Sequence, residues 1–181
     1  DVKEHTNPLP VQVDFKRPEW TWKLDEVYAL AVDKVHWYGE PVAAVVAEDA
    51  YTAQRAAELI RISYEPLPPI HDAQQALQED APLLYEEWGD NKQVHLVFDF
   101  GDKEEAFSQA DEVMDVTYSE GRVTGLPIEP RGFVADYRPK QDTLEVWGTF
   151  QTPYLQRHNI AETLGMPEVR VTTHATDIGG A

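Results

Sequence analysis

The 181-residue chain is 42% hydrophobic, enough to build a core, and its length suits one large or two small domains. It contains no cysteine, which excludes disulfides, thiolate metal ligands and a cysteine nucleophile within these residues. Its 33 acidic against 15 basic residues give a net charge of −18, which repels phosphate backbones and anionic membrane surfaces, so neither nucleic acid nor a membrane is an expected partner.

Taken in chain order, the stretch to Lys23 is dense in proline and charge, and NPLP and KRPEW break any period. Extended or loop structure is predicted there, with one short strand at 11–15. The opening also lacks the basic flank and apolar core of a signal peptide, and no run reaches the roughly 20 apolar residues of a membrane helix, so a cytoplasmic location is expected. Residues 33–67, DKVHWYGEPVAAVVAEDAYTAQRAAELIRISYEPL, form the clearest local unit. They predict a strand at 35–37, a turn at 38–40, a near-continuous apolar strand at 42–47, and a helix capped by Asp49 with Ala53, Ala56, Ala57 and Ile60 on one face. The RISY strand at 61–64 then returns beside the first two. A proline-punctuated connection follows with one short helix near 72–77, and a boundary falls near Asn91.

Beyond it, QVHLVFDF predicts a strand at 93–100, and GDKEEAFSQA a helix in which Asp102 caps and Glu105 completes a capping box. Met114, Val116 and Tyr118 alternate with polar residues, the pattern of a half-buried strand. GFVADYRP and TLEVWGTF read as the arms of a hairpin turning at 140–142. TPYLQRHNIAETLGMP carries the marks of a complete helix: Thr152 as cap, Pro153 in the first turn, Gly165 past the end, Pro167 preventing continuation. The last strand is EVRVTTH.

Few of these residues are arranged for chemistry. No two of the six histidines sit three to five residues apart, and Ser63, Ser108 and Ser119 stand in no nucleophile-elbow context, so no metal-ligating and no catalytic residue is assigned. FQTPYLQRHN is different, because it places the amide of Gln151 between a strand end and a helix N-terminus. A neutral donor beside free backbone N–H groups suits an anion or an oxo group. The residues alone also allow an ordinary threonine-capped loop there, and a plain turn at the terminal DIGG.

VHWYGEPVAAVVAEDAYTAQRAAELIRISYEPLPPI closely resembles the alpha/beta hammerhead domain of the molybdenum hydroxylase large subunits, the family of xanthine dehydrogenases, aldehyde oxidases and aerobic carbon monoxide dehydrogenases. LPIEPRGFVADY, LEVWGTFQTPYLQRHNIAETLGMP and DIGGA resemble, in order, the opening of that family's molybdopterin-binding domain. The resemblance spans roughly residues 25–181. It implies an α+β fold of mixed sheets with packed helices: a partial hammerhead-like module with connecting segment over 1–90, then an incomplete molybdopterin-binding domain over 91–181.

It further implies that Gln151 hydrogen-bonds an oxygen ligand of the molybdenum centre, and that Gly179 and Gly180 begin the glycine-rich loop whose backbone approaches the cofactor. On that resemblance the chain is expected to be a piece of a longer subunit, ending inside that loop, with the family's general-base glutamate beyond residue 181. The implied cofactor is molybdopterin, as a dinucleotide, carrying molybdenum, with iron–sulfur clusters and FAD on partner subunits. Implied partners are the remainder of the large subunit, those two subunits and a small-molecule substrate; self-association of the isolated piece is also expected. Where the family often has a histidine two residues before Pro127 this chain has Gly125, and Glu129 is read as structural. The alternative is a non-catalytic acidic interaction module on the same scaffold.

Overall fold

The computed structural model describes residues 2–10, 20–121 and 123–180, and the strand expected at 11–15 lies outside them. In the N-terminal half, β1 (Thr21–Trp22) pairs antiparallel with β2 (Val94–His95), Thr21 opposite His95. The Lys23 N–H donates to the Gln93 carbonyl at 2.8 Å and the Trp20 indole to the Val97 carbonyl at 2.9 Å, so the strand expected over 93–100 is a short ladder with flanking bonds. The expected turn forms, with the Glu40 N–H on the Trp37 carbonyl at 3.2 Å and Gly39 at φ +89°.

Three helices begin where a short acidic side chain replaces the missing backbone acceptor. Asp49 opens α1 (Ala50–Leu59), accepting from the Thr52 N–H at 2.8 Å. Asp72 opens α2 (Ala73–Ala76), accepting from Gln74 and Gln75 at 2.8 and 2.9 Å. Asp102 opens α3 (Lys103–Ser108), accepting from Glu105 at 2.9 Å, while the Glu105 carboxylate accepts from Gln109 rather than closing the box. Of the face expected on α1, Ala53 and Ala56 are half-buried, whereas Ala57 and Ile60 are exposed.

The strands expected at 35–37, 42–47, 61–64 and around 114–118 do not form ladders. Many of their apolar side chains stand in solvent, with Val46 97% and Tyr118 90% exposed, while Val42, Val45 and Ala47 are half-buried. A strand exists only where a second backbone answers its N–H and C=O groups, and among the described residues no strand pairs with these segments.

The core sits near the C-terminus. β3 (Phe133–Arg138) and β4 (Thr143–Gly148) form the expected hairpin, Val134 opposite Trp147, and Asp142 takes a positive φ of 53° to close the turn. α4 (Pro153–Leu164) then carries the chain back so that β5 (Val171–Ala175) lies parallel to β4, Leu144 beside Val171 and Gly148 beside Ala175. The last strand is shorter than expected because Glu168–Arg170 coil into a 3-10 turn. Alternation along β4 puts Leu144, Val146 and Gly148 on the buried face, and with Phe150, Ala161 of α4 and Val171 they make the core. Gly165 ends α4 in the left-handed region at φ +65°, its N–H and that of Met166 returning to Glu162 and Ala161. The whole is α+β, small mixed sheets with packed helices.

Candidate functional site

In a parallel strand–helix–strand unit, both strand ends and the start of the crossover helix face the same way, and ligands gather outside the carboxyl ends of the strands. Here β4 and β5 end side by side at Gly148 and Ala175. The Gly148 carbonyl also takes the Thr176 N–H at 3.3 Å, so the two outgoing segments start in contact. β3 runs the other way, so its first residue, Phe133, stands opposite Gly148 and brings the preceding segment to this end. Gly148 has to be glycine: a Cβ there would meet the Phe133 ring and lie 3.1 Å from the Gly132 carbonyl.

Four pieces therefore meet: the segment before β3, residues 149–152, the first turn of α4, and residues 176–180. Gln151 is exposed, follows the buried Phe150, and its amide has no hydrogen bond among the described residues. Thr152 is the cap residue, but its hydroxyl accepts no first-turn N–H, and Pro153 occupies the first helical position. The positive end of α4 is thus open to an acceptor. The Thr173 hydroxyl holds the Pro153 carbonyl at 2.9 Å and ties that helix start to β5. Beside Gln151, the Thr149 hydroxyl is buried without a partner among the described residues.

The glycine pair lies against the segment before β3. The Gly179 N–H donates to Glu129 Oε2. A Cβ on Gly179 would come within 2.8 Å of Glu129 Cβ and Oε2, and one on Gly180, at φ +152°, within 2.6 Å of Pro127 Cβ. Leu126, immediately before this proline, takes φ +40°, a region that costs a residue with a Cβ on the order of 1–3 kcal/mol unless its surroundings impose it.

All three residues singled out from the sequence, Gln151, Gly179 and Gly180, thus leave the same end of one strand pair. Thr149, Pro127 and the hydrogen bond from the Gly179 N–H to Glu129 were not foreseen; for the last two the Gly-Gly pair was the one signal, marking a close backbone approach without saying to what. Electrostatically the site offers donors: a neutral amide, a helix N-terminus and an unpartnered hydroxyl. They can hold and polarise an oxygen-rich ligand, and the orphan Thr149 hydroxyl fits such a group.

Charge elsewhere is satisfied locally. On the sheet face opposite α4, Glu145 bridges Arg138 at 2.9 Å and His174 at 3.2 Å, and the His174 ring stacks on Trp147, centroids 4.8 Å apart. Hydrogen bonds from Arg157 at 2.5 and 2.9 Å, then His158, hold the Glu168 carboxyl below its usual range. In the N-terminal half a cavity of about 360 Å³ contains a stack of His36 on Tyr85, 4.4 Å apart, and Tyr85 lies 4.3 Å from Trp88. Burial, then the charges of Asp25, Glu40 and Glu87, pushes the Tyr85 phenol up. A second cavity of about 300 Å³ opens beside Phe107 and Met114. Neither includes Gln151 or the glycines, and no group of three metal-ligating side chains occurs among the described residues.

Comparison with known proteins gives two family matches: a molybdopterin cofactor-binding domain over residues 85–181, and the a/b hammerhead domain of aldehyde oxidase and xanthine dehydrogenase over residues 11–68. The chain is 40% identical over 152 residues to the 6-hydroxypseudooxynicotine dehydrogenase complex subunit gamma of Paenarthrobacter nicotinovorans, covering 84% of this chain and 19% of that one. It is 37% identical over 164 residues to the carbon monoxide dehydrogenase large chain of Afipia carboxidovorans, covering 83% and 20%. A crystal structure of a Cu,Mo-CO dehydrogenase in its carbon monoxide reduced state superposes with a TM-score of 0.78 at 33% identity, over 99% of this chain and 23% of that one. Quinoline 2-oxidoreductase from Pseudomonas putida 86 superposes at 0.79 with 26% identity, over 99% and 22%. The chain thus spans about a fifth of the length of the relatives it matches.

Proposed function

Because this chain belongs to the family of molybdenum hydroxylase large subunits, we propose that it forms one wall of a molybdenum cofactor site. The enzyme would oxidise a small substrate (a purine, an aldehyde, an N-heterocycle or carbon monoxide) with water as the oxygen source. When bound, the molybdopterin cofactor supplies the redox chemistry. The chain's own residues bind and orient: Gln151 donates its amide N–H to an oxygen of the cofactor, the open N-terminus of α4 favours negative charge there, and Gly179 and Gly180 present backbone without side chains in the way. Gln151 exchanges no proton.

Electrons would leave through iron–sulfur and FAD subunits in the cytoplasm. We place a partial hammerhead module over 1–90 and the start of the cofactor-binding domain over 91–181, which makes the β1–β2 ladder the joint between them. No helix among the described residues is long and apolar enough to cross a membrane.

The observation that carries this reading is the meeting of an unpartnered amide at Gln151, an uncapped helix start and the buried orphan hydroxyl of Thr149 at one end of β4 and β5. The test replaces Gln151 in the complete large subunit assembled with its partners, reading molybdenum per subunit and kcat/KM. Loss of one such donor at a developing charge costs about 10²–10³ in rate, so Gln151→Ala should fall by that much and Gln151→Glu, which adds repulsion, by more. Wild-type turnover in Gln151→Glu would refute the assignment. The 181-residue chain alone should show no turnover, and stoichiometric molybdenum on it would count against the one-wall reading.

A further inference from the structure

Between residues 92 and 141 every described residue is solvent-exposed except Glu129. It is half-buried because its side chain turns toward the glycine pair: its carboxylate takes the Gly179 N–H, and its Cβ and Oε2 fill the space a Gly179 side chain would need. Two residues earlier Pro127 does the same at Gly180, and the exposed Leu126 before it sits at φ +40°. Two residues of one segment, Pro127 and Glu129, thus close on two consecutive residues of another, Glu129 lying 50 positions from Gly179.

We propose that Glu129 is a positioning residue that sets the direction of the Gly179–Gly180 backbone. The inference rests on the reading of that backbone as a cofactor contact. Since the peptide unit is planar and trans, engaging the Gly179 N–H fixes the plane of the 178–179 peptide and turns the Ile178 carbonyl to the opposite side, away from Glu129. The glycines give the loop its freedom, and Glu129 removes it again. A carboxylate committed to this N–H is not placed to exchange protons with a substrate. Its effect passes through Gly179, and residues supporting cofactor contacts in this way typically matter by 10–100-fold in affinity or activity.

Two variants separate the possibilities. Glu129→Ala removes the acceptor, and Glu129→Gln keeps a neutral oxygen in the same place. In the 181-residue chain, hydrogen exchange at the Gly179 amide should be slow in the wild type, about tenfold faster in Glu129→Ala and largely restored in Glu129→Gln. In the complete subunit, Glu129→Ala should lower molybdenum occupancy and kcat by about 10–100-fold with substrate KM little changed, and Glu129→Gln should recover most of both. Unchanged exchange at Gly179 overturns the contact whatever the cofactor does. Faster exchange with molybdenum and kcat untouched overturns the positioning role. If the Gln151 variants are silent as well, the cofactor reading itself has failed.

Discussion

Val46 and Val146 stand a hundred positions apart in apolar stretches, and one is 97% exposed while the other is 7% exposed. The VAAVVA run around the first is the denser in hydrophobic residues. The difference lies in the company each keeps. Val146 has β3 on one side, joined to its own strand by the turn at 139–142, and β5 on the other, returned to it by α4. Val46 has no strand beside it among the described residues. Apolar patterning creates the demand for burial, and a partner backbone meets it. The buried strand is the one whose partners return to it through a tight turn and a single helix.

Breaking the better-packed side of that comparison should have the largest effect. Phe150 is 5% exposed and its ring lies 5.5 Å from that of Phe133, so Phe150→Ala should cost about 3–5 kcal/mol in urea unfolding, enough to melt the β3–β5 unit. Gly165→Ala should cost about 1–2 kcal/mol: the nearest atom to the new Cβ is Asn7 Nδ2 at 3.6 Å, so the penalty is the left-handed backbone and not crowding. A smaller, pH-dependent effect comes from Glu168. Its carboxyl is held low by Arg157, then His158, so its stabilisation is present above the unfolded value of about 4.3 and disappears as pH falls through the lower folded value. Arg157→Ala should flatten that acid limb in a pH series of thermal melts. Least of all, Val46→Ser should move stability by less than about 0.5 kcal/mol, since an exposed side chain has nothing to lose. A large loss there would mean that residues 42–47 are packed in solution and would erase the contrast.

The same contrast decides what was legible in the sequence. Asp49, Asp102 and Gly165 bound their helices as expected, because such a cap is settled within four residues. The hairpin and the helix after it were legible for the same reason. The strands at 42–47 and around 114–118 were read from alternation, which says that one face wants burial but not what will cover it. At the candidate site, Gln151 stood out because its strand end and helix start adjoin it in sequence. Glu129 passed as structural, because nothing local tells that its partner is Gly179 fifty residues on. Thr149 looked like one more strand residue, and only packing reveals that its hydroxyl is left over.

Placing the core at Leu144–Val171 also dictates an order of events during synthesis. A ribosome adding roughly 5–20 residues per second needs about ten seconds to travel from Trp20 to Leu144. By its end the nascent polypeptide carries Val46, Phe100, Met114 and Tyr118 with no β3–β4 hairpin yet formed. Because these four side chains stay exposed after the core has formed, chaperone engagement around residues 46–118 should persist once the hairpin and its crossover helix have cleared the exit tunnel, while residues 144–171 cease to be bound.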